Sequence, residues 1–335
     1  SSLLPRFFAI YIVSIQFLFP QNWEKVDSVF NPSGVYAFSF ASPSFADMNA
    51  DGKMDLFVGN TSGKAHFFFN ISPSGITKFA FNDSLLASIY TQSIGTNGYY
   101  PVTADLNGDG KMDLVIGGYN GFLYYENHGD SLWPVWTKID SVFAGVNPQI
   151  GTDAKPVFVD IDNDGDLDLY AGIGESLFGG PTPGITIGFR NTGSDSIPVF
   201  TQDNTMTTGI PDAGLNSYPA FADIDADGDY DLLLGRDLAS FLFYRNTGTA
   251  SSSVWTRDFN LFNTMETTTY WKNPVLFDYD NDNDYDLIYG SDNGRLTVYQ
   301  NTGTPQSPVY TLNTSYFRVI KNKGSYATAS LADID

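Results

Sequence analysis

The side chains able to do chemistry in this chain are mostly carboxylate and amide oxygens, set at alternate positions in five short stretches. The first holds Asp47, Asn49, Asp51, Lys53 and Asp55, and the second Asp105, Asn107, Asp109, Lys111 and Asp113. The third holds Asp160, Asp162, Asp164, Asp166 and Asp168. The fourth holds Asp223, Asp225, Asp227, Asp229 and Asp231, and the fifth Asp278, Asp280, Asp282, Asp284 and Asp286. Counting the leading Asp as loop position 1, oxygen side chains fall at positions 1, 3, 5 and 9, and position 7 would supply a backbone carbonyl. Calcium takes six to eight hard oxygen ligands in a flexible cage, and this spacing offers them. Position 6 is Gly in four loops and Asn283 in the fifth, residues that tolerate the left-handed turn needed to wrap an ion. The apolar residue at position 8 (Met54, Met112, Leu167, Tyr230, Tyr285) is expected to anchor each loop.

Charge arithmetic favours a cation. The five motifs and a last fragment hold 3, 3, 5, 5, 5 and 2 acidic residues, 23 of the 38 in the chain. Five divalent ions would bring the net charge from −21 to −11. Without metal, carboxylates about 4–5 Å apart repel by roughly 1–4 kcal/mol per pair, depending on the local dielectric. These are not EF-hand loops, because position 12, where an EF-hand has a bidentate Glu, carries Val58, Ile116, Ala171, Leu234 and Tyr289. Position 9 is the expected bidentate ligand instead.

Composition narrows the remaining chemistry. An acidic chain of 335 residues has no basic face for nucleic acid, and 42% hydrophobic with 16% aromatic residues argues for a large core. There is no Cys, so no disulfide, and His66 and His128 alone offer little for a zinc site or a histidine-based triad. A catalytic site is not expected.

The leading Asp recurs at 47, 105, 160, 223, 278 and 333, with intervals of 58, 55, 63, 55 and 55 residues. Each period holds four short apolar segments and no long helical stretch, for example Ala220–Ala222, Leu232–Leu234, Phe241–Tyr244 and Val254–Arg257. Four strands per repeat, repeated radially, make an all-β propeller. A single propeller is expected over 23–335, with repeats starting near 45, 103, 158, 221, 276 and 331, preceded by an apolar segment over 1–22. Trp23–Phe30 nearly copies Trp136–Phe143, so Trp23 begins a fourth strand and Phe8–Val13 falls where a third belongs. Ala329–Asp335 reads as a first strand. Both termini in one blade would close six blades; a longer chain would have seven or more. The run Phe7–Phe19 reads either as this strand or as a signal peptide, is too short to span a membrane, and points to export either way.

The motif and its period resemble the bacterial FG-GAP/VCBS repeats, related to the propeller of integrin alpha subunits, with Gly117-Gly118 and Gly172-Ile173-Gly174 as echoes of the glycine signature. The resemblance implies about five calcium ions and extracellular adhesion, recognition or scaffolding. The partner would be a protein or glycan, or a second copy in a filament joined by strand exchange; a polysaccharide-active enzyme is the remaining alternative. Ligand contacts are expected from Tyr100, Tyr218, Trp271 and Tyr326 around the channel mouth, and from Phe178 in the insertion Gly174–Ile185. Sequons occur at Asn60, Asn70, Asn82 and Asn313.

Overall fold

A computed structural model describes residues 14–16, 24–26, 41–60, 65–72, 79–82, 86, 89, 100–119, 121–130, 133–146, 153–174, 184–194, 196–238, 240–263, 265, 267–280, 282–314 and 327–331. The β-branched and aromatic segments flanking each Asp loop cannot hide their apolar side chains in isolation. They form antiparallel strands joined by short turns. Blade 1 is β3 (Ser42–Ala46), β4 (Asp55–Gly59), β5 (Ala65–Asn70) and β6 (Phe79–Phe81). Blade 2 is β7 (Tyr100–Ala104), β8 (Asp113–Gly118), β9 (Gly121–Asn127) and β10 (Trp136–Lys138). Blade 3 is β11 (Asp153–Val159), β12 (Asp168–Gly174), β13 (Thr186–Asn191) and β14 (Phe200–Gln202). Blade 4 is β15 (Ser217–Ala222), β16 (Asp231–Arg236), β17 (Leu242–Asn246) and β18 (Trp255–Asp258). Blade 5 is β19 (Asn273–Phe277), β20 (Asp286–Gly290), β21 (Leu296–Asn301) and β22 (Tyr310–Leu312). In every blade the strands lie in sequence order.

The architecture is thus an all-β propeller with five four-stranded blades among the described residues, not the six or seven expected. At the N-terminus, β1 (Ser14–Gln16) and β2 (Glu24–Val26) form a two-stranded sheet. The strand preceding β2 therefore lies downstream of the expected Phe8–Val13, which is outside the described residues. Residues 327–331 form no strand, and 332–335, with the last Asp fragment, are outside the described set. Residues 327–331 nonetheless sit beside blade 5, where Ala327 N–H donates to Ser291 O at 2.9 Å, and Thr328 Oγ1 donates to Ala41 O just before blade 1. Among the described residues no sixth four-stranded sheet is seen, and the segment 327–331 touches both blade 5 and the residue just before blade 1.

The core lies between blades rather than inside any one of them. The second strand, fully buried in blades 1, 2, 3 and 5, presents apolar side chains to both faces of the stack. Phe57 and Phe67 of blade 1 pack with Ile116, Tyr125 and Trp136 of blade 2, and Tyr170 of blade 3 packs with Leu232, Leu234 and Trp255 of blade 4. Trp255 Nε1 also donates to Met206 O at 2.7 Å, tying blade 4 to the single-turn 3₁₀ helix Asn204–Thr207. The outermost strands run for only three or four residues, which limits edge-to-edge association.

Close approach of neighbours needs glycine at one repeated place. A β-carbon on Gly117, Gly172, Gly235 or Gly290 would overlap the carbonyl oxygen of Ala154, Ser217, Lys272 or Ala327 respectively, the first three of which lie at the start of the next blade. Gly235→Ala is expected to lower stability by about 2 kcal/mol or more, because backbone cannot retreat as a flexible side chain would. A melting temperature within a degree of wild type would contradict this packing.

Candidate metal centres

Each Asp loop joins the first strand of a blade to the second, and its backbone is shaped by its own carboxylates. Asp223 Oδ1 and Oδ2 accept the N–H groups of Asp227 and Gly228, both at 3.0 Å. The same pair of bonds recurs at Asp47, Asp105, Asp160 and Asp278. The position-5 carboxylate accepts the N–H of position 7 in all five loops, at 2.9–3.2 Å. With these bonds go two left-handed residues in each of the first four loops, and one among the described residues of the fifth. Position 6 has φ between 70° and 97°, including Asn283 at 70°, as its side chain allows. Position 4 is left-handed too, at Ala50, Gly108, Asn163 and Ala226.

Position 9 is where the loop enters the core. Asp55, Asp113, Asp168, Asp231 and Asp286 are all buried, and each fixes Oδ1 on the backbone N–H of a third-strand asparagine: Asn70, Asn127, Asn191, Asn246 or Asn301, at 2.7–2.8 Å. Oδ1 is thus committed to the blade, while Oδ2 accepts the position-2 N–H in blades 1, 2 and 5 at 3.2–3.3 Å, with the Tyr124 hydroxyl added at 2.7 Å in blade 2, and has no hydrogen bond in blades 3 and 4. The asparagine side chain continues the chain of contacts. In blades 2 to 5 its Oδ1 accepts two N–H groups of the turn into the fourth strand, such as Gly248 at 3.1 Å and Val254 at 2.9 Å for Asn246. Sequence reading gave these asparagines no role in the loops, and noted Asn70 only as a sequon. Their recurrence at one offset before a turn is the signal that marks them.

The anchor of each loop also differs from expectation. At position 8, Met112, Tyr230 and Tyr285 are exposed, whereas position 2 (Met48, Leu106, Ile161, Ile224, Tyr279) is buried in every loop. Position 7 is not simply a free side chain. Lys53 and Lys111 pair with the position-5 Asp of their own loops at 3.6 Å, while Asp229 and Asp284 turn inward and are buried.

The result is a set of carboxylates with nothing to neutralise them fully. One oxygen from each of Asp160, Asp162 and Asp164 lies within 4.8 Å of the others, and the same holds for Asp223, Asp225 and Asp227, and for Asp278, Asp280 and Asp286. Asp168 Oδ2, Asp231 Oδ2, Asp229 Oδ1 and Asp284 Oδ1 are buried without a hydrogen bond. Burial pushes Asp55, Asp168 and Asp231 up to about 7, Asp113 to about 6 and Asp286 to about 8, and neighbouring loop carboxylates add to the rise. Orphaned buried oxygens of this kind fit a hard divalent cation, and the donor set is all oxygen.

A family model described as FG-GAP-like repeat matches residues 47–116 and again 105–171. Residues 47–171 thus match FG-GAP-like repeats. Blades 3 to 5 repeat the same loop geometry beyond the matched residues. Human cartilage acidic protein 1 is 28% identical over 141 residues, which is 40% of this chain and 20% of that protein, so the match spans about a fifth of that relative. A solved structure reported for specific recognition of non-reducing terminal N-acetylglucosamine by an Agrocybe aegerita lectin aligns over 90% of this chain and 73% of its own, with 16% identity and a TM-score of 0.48.

The aromatic residues expected at the channel mouth are only partly brought together. Tyr100 and Tyr218 flank the buried Lys155, whose Nζ lies 5.3 Å and 4.4 Å from the two ring centroids and donates to Asn216 Oδ1 at 3.0 Å. Burial draws the Lys155 ammonium down to about 8, against the pull of Asp153 and Asp237. Both rings are thereby used in holding blades 2 to 4 together. Trp271 is half-buried in a left-handed conformation, φ 56°. Phe178, with most of the 174–185 insertion, and Tyr326 lie outside the described residues.

Stability should therefore depend on pH in opposite senses with and without metal. The position-9 carboxylates titrate near 7 in the folded chain and near 3.8 when free, so the metal-free fold keeps its protons longer than the unfolded chain. Its stability is full below about 4 and falls as pH rises toward 8. Metal removes the protons and reverses the trend. Melting in EDTA is expected to be several degrees higher at pH 5 than at pH 8, and in millimolar calcium the order should invert; melts independent of pH would refute it.

Proposed function

We propose that this protein is an extracellular, calcium-stabilised propeller that acts as a recognition or scaffold module and not as an enzyme. The observation that carries the reading is the set of buried loop carboxylate oxygens left without a hydrogen bond at Asp229, Asp231 and Asp284. The loop carboxylates, with asparagine at position 3 of the first two, would be the ligands: Asp47, Asn49, Asp51 and Asp55 in blade 1 and their counterparts in blades 2 to 5. Calcium is preferred to magnesium because the cage is built from a flexible turn with more than six oxygens, whereas magnesium demands near-octahedral geometry and keeps its waters. Ion binding would join first, second and third strands of each blade through one charge.

Several features support an extracellular setting. Modules of this type bind calcium at about 10⁻⁴–10⁻³ M, a range filled outside cells. With no Cys in the chain, metal is the available staple for an oxidising compartment. The partial match to a relative named for cartilage agrees. No helix among the described residues is long and apolar enough to cross a membrane. Nearly all the clustered carboxylates among the described residues would serve as ligands, which counts against a polysaccharide-cleaving site. A protein or glycan partner would meet the loops at the faces of the ring, where insertions cost the sheets nothing.

Chelation tests the reading. EDTA is expected to lower the melting temperature by 10 °C or more, and millimolar calcium to restore it. Asp231→Asn should cost calcium affinity at blade 4 by at least tenfold in calorimetry while the fold persists at high calcium. An unchanged melt in EDTA would overturn the proposal.

A further inference from the structure

The residue just before each third-strand asparagine varies in a way that follows position 3 of the loop beside it. In blades 3 and 4 position 3 is Asp162 or Asp225, and Arg190 or Arg245 donates from Nη1 to its Oδ2. In blade 5 position 3 is Asp280, and Gln300 Nε2 donates to its Oδ2 at 2.6 Å. In blade 2 position 3 is Asn107, an amide, and the neighbour is the acceptor Glu126, which takes the Asn107 Nδ2 proton at 3.0 Å. Blade 1 has Asn49 beside Phe69, which offers neither donor nor acceptor. Donor faces acid and acceptor faces amide. In each of the three Asp cases the outer oxygen is held, while Oδ1 of Asp162, Asp225 and Asp280 is buried without a hydrogen bond.

A further residue on the fourth strand, or just past it, fixes each of these partners. Arg190 Nε donates to Asp203 Oδ2 at 3.2 Å, and Arg245 Nε to Asp258 Oδ2 at 3.0 Å. In blade 5 the equivalent residue is Asn313, whose Nδ2 donates to Gln300 Oε1 at 3.1 Å, so the Gln300 amide must turn its donor to Asp280. The guanidinium cations are thereby held beside their loops whether or not an ion is present. Two blades carry a resident positive charge against a cage of five aspartates; the third has the same five aspartates and a neutral donor.

We propose that these third-strand partners are positioning residues that grade the cation affinity of the ring: they aim the position-3 oxygen and set the charge an incoming ion meets, so blade 5 binds calcium more tightly than blades 3 and 4. The inference rests on reading the loops as cation cages. Two independent observations point to a ligand there: Asp231 and Asp284, at 1% and 6% exposure, each keep an oxygen without a hydrogen bond, and the position-3 Oδ1 atoms do the same. The resident arginine has a second consequence. It offsets part of the carboxylate repulsion in blades 3 and 4 when calcium is scarce, so those blades hold together under conditions in which blade 5 is under the most repulsion.

A charge-neutral exchange tests this on the full chain. Arg245→Gln with Asp258→Asn copies the blade 5 pair into blade 4, and Gln300→Arg with Asn313→Asp does the reverse, each leaving the net charge at −21. In calorimetric titration with calcium chloride, the first variant is expected to tighten one site about tenfold and the second to weaken one about tenfold. Melts supply a readout that a merely structural arginine would not move in this pattern. The first variant should melt lower than wild type in EDTA and gain more on adding calcium; the second should melt higher in EDTA and gain less. Calcium binding by wild type with both exchanges shifting the calcium gain in the same direction, or neither shifting it, would overturn this inference alone. No calcium binding by wild type would overturn it together with the reading of the loops.

Discussion

Buried like charge is the constraint on which the rest of this structure depends. Where the first strand of each blade turns into the second, a carboxylate is carried into the core and held there by a backbone N–H from the third strand. Ionised carboxylates in such a place repel one another and lose hydration, and hydrogen bonds from the backbone offset only part of that cost. A divalent ion changes the balance. Bound there, it would turn a repulsive knot into a joint between three strands of a blade.

This arrangement explains why small sheets suffice. A blade of four short strands buries little by itself, and its apolar faces are covered by its neighbours. The loop works at right angles to that stacking. It sets the angle at which the first and second strands leave the turn, and the asparagine passes the same constraint to the fourth strand. In one place the constraint crosses between blades: Asn127 Nδ2 donates to Met48 O, in the loop of blade 1, at 3.1 Å. Lys155, held between Tyr100 and Tyr218, does similar work near the channel with a fixed charge of the protein's own.

The repeat, the strand content and the loops were legible in the sequence because each rests on a local rule: period, alternation, and oxygen spacing with glycine at one turn. What failed depended on three-dimensional closure. The number of blades could not follow from the motif count, because the sixth Asp motif is a fragment and a motif does not guarantee its four strands. The anchoring residue was expected at position 8, where Met112, Tyr230 and Tyr285 prove exposed, whereas position 2, such as Met48 and Ile224, is buried, because side-chain direction along a loop of left-handed turns is not set by strand alternation. The partners Arg190, Arg245 and Gln300 were invisible for another reason. They lie 20 or more residues from the position-3 carboxylate they hold and meet it only across the sheet. The contact of Tyr100 and Tyr218 with Lys155 was likewise invisible, because the lysine stands more than 50 residues from either ring in one or other direction along the chain and meets both only across blades.

The central claim is that each loop is a cation cage. The most direct measurement is anomalous diffraction from crystals of the full chain grown in calcium, with a second crystal soaked in terbium. The account expects one peak in each of the five loops, bounded by positions 1, 3, 5 and 9, with the position-9 oxygen not bound to asparagine facing the ion. Ordered loops with water alone, or peaks confined to exposed carboxylates outside them, would contradict it.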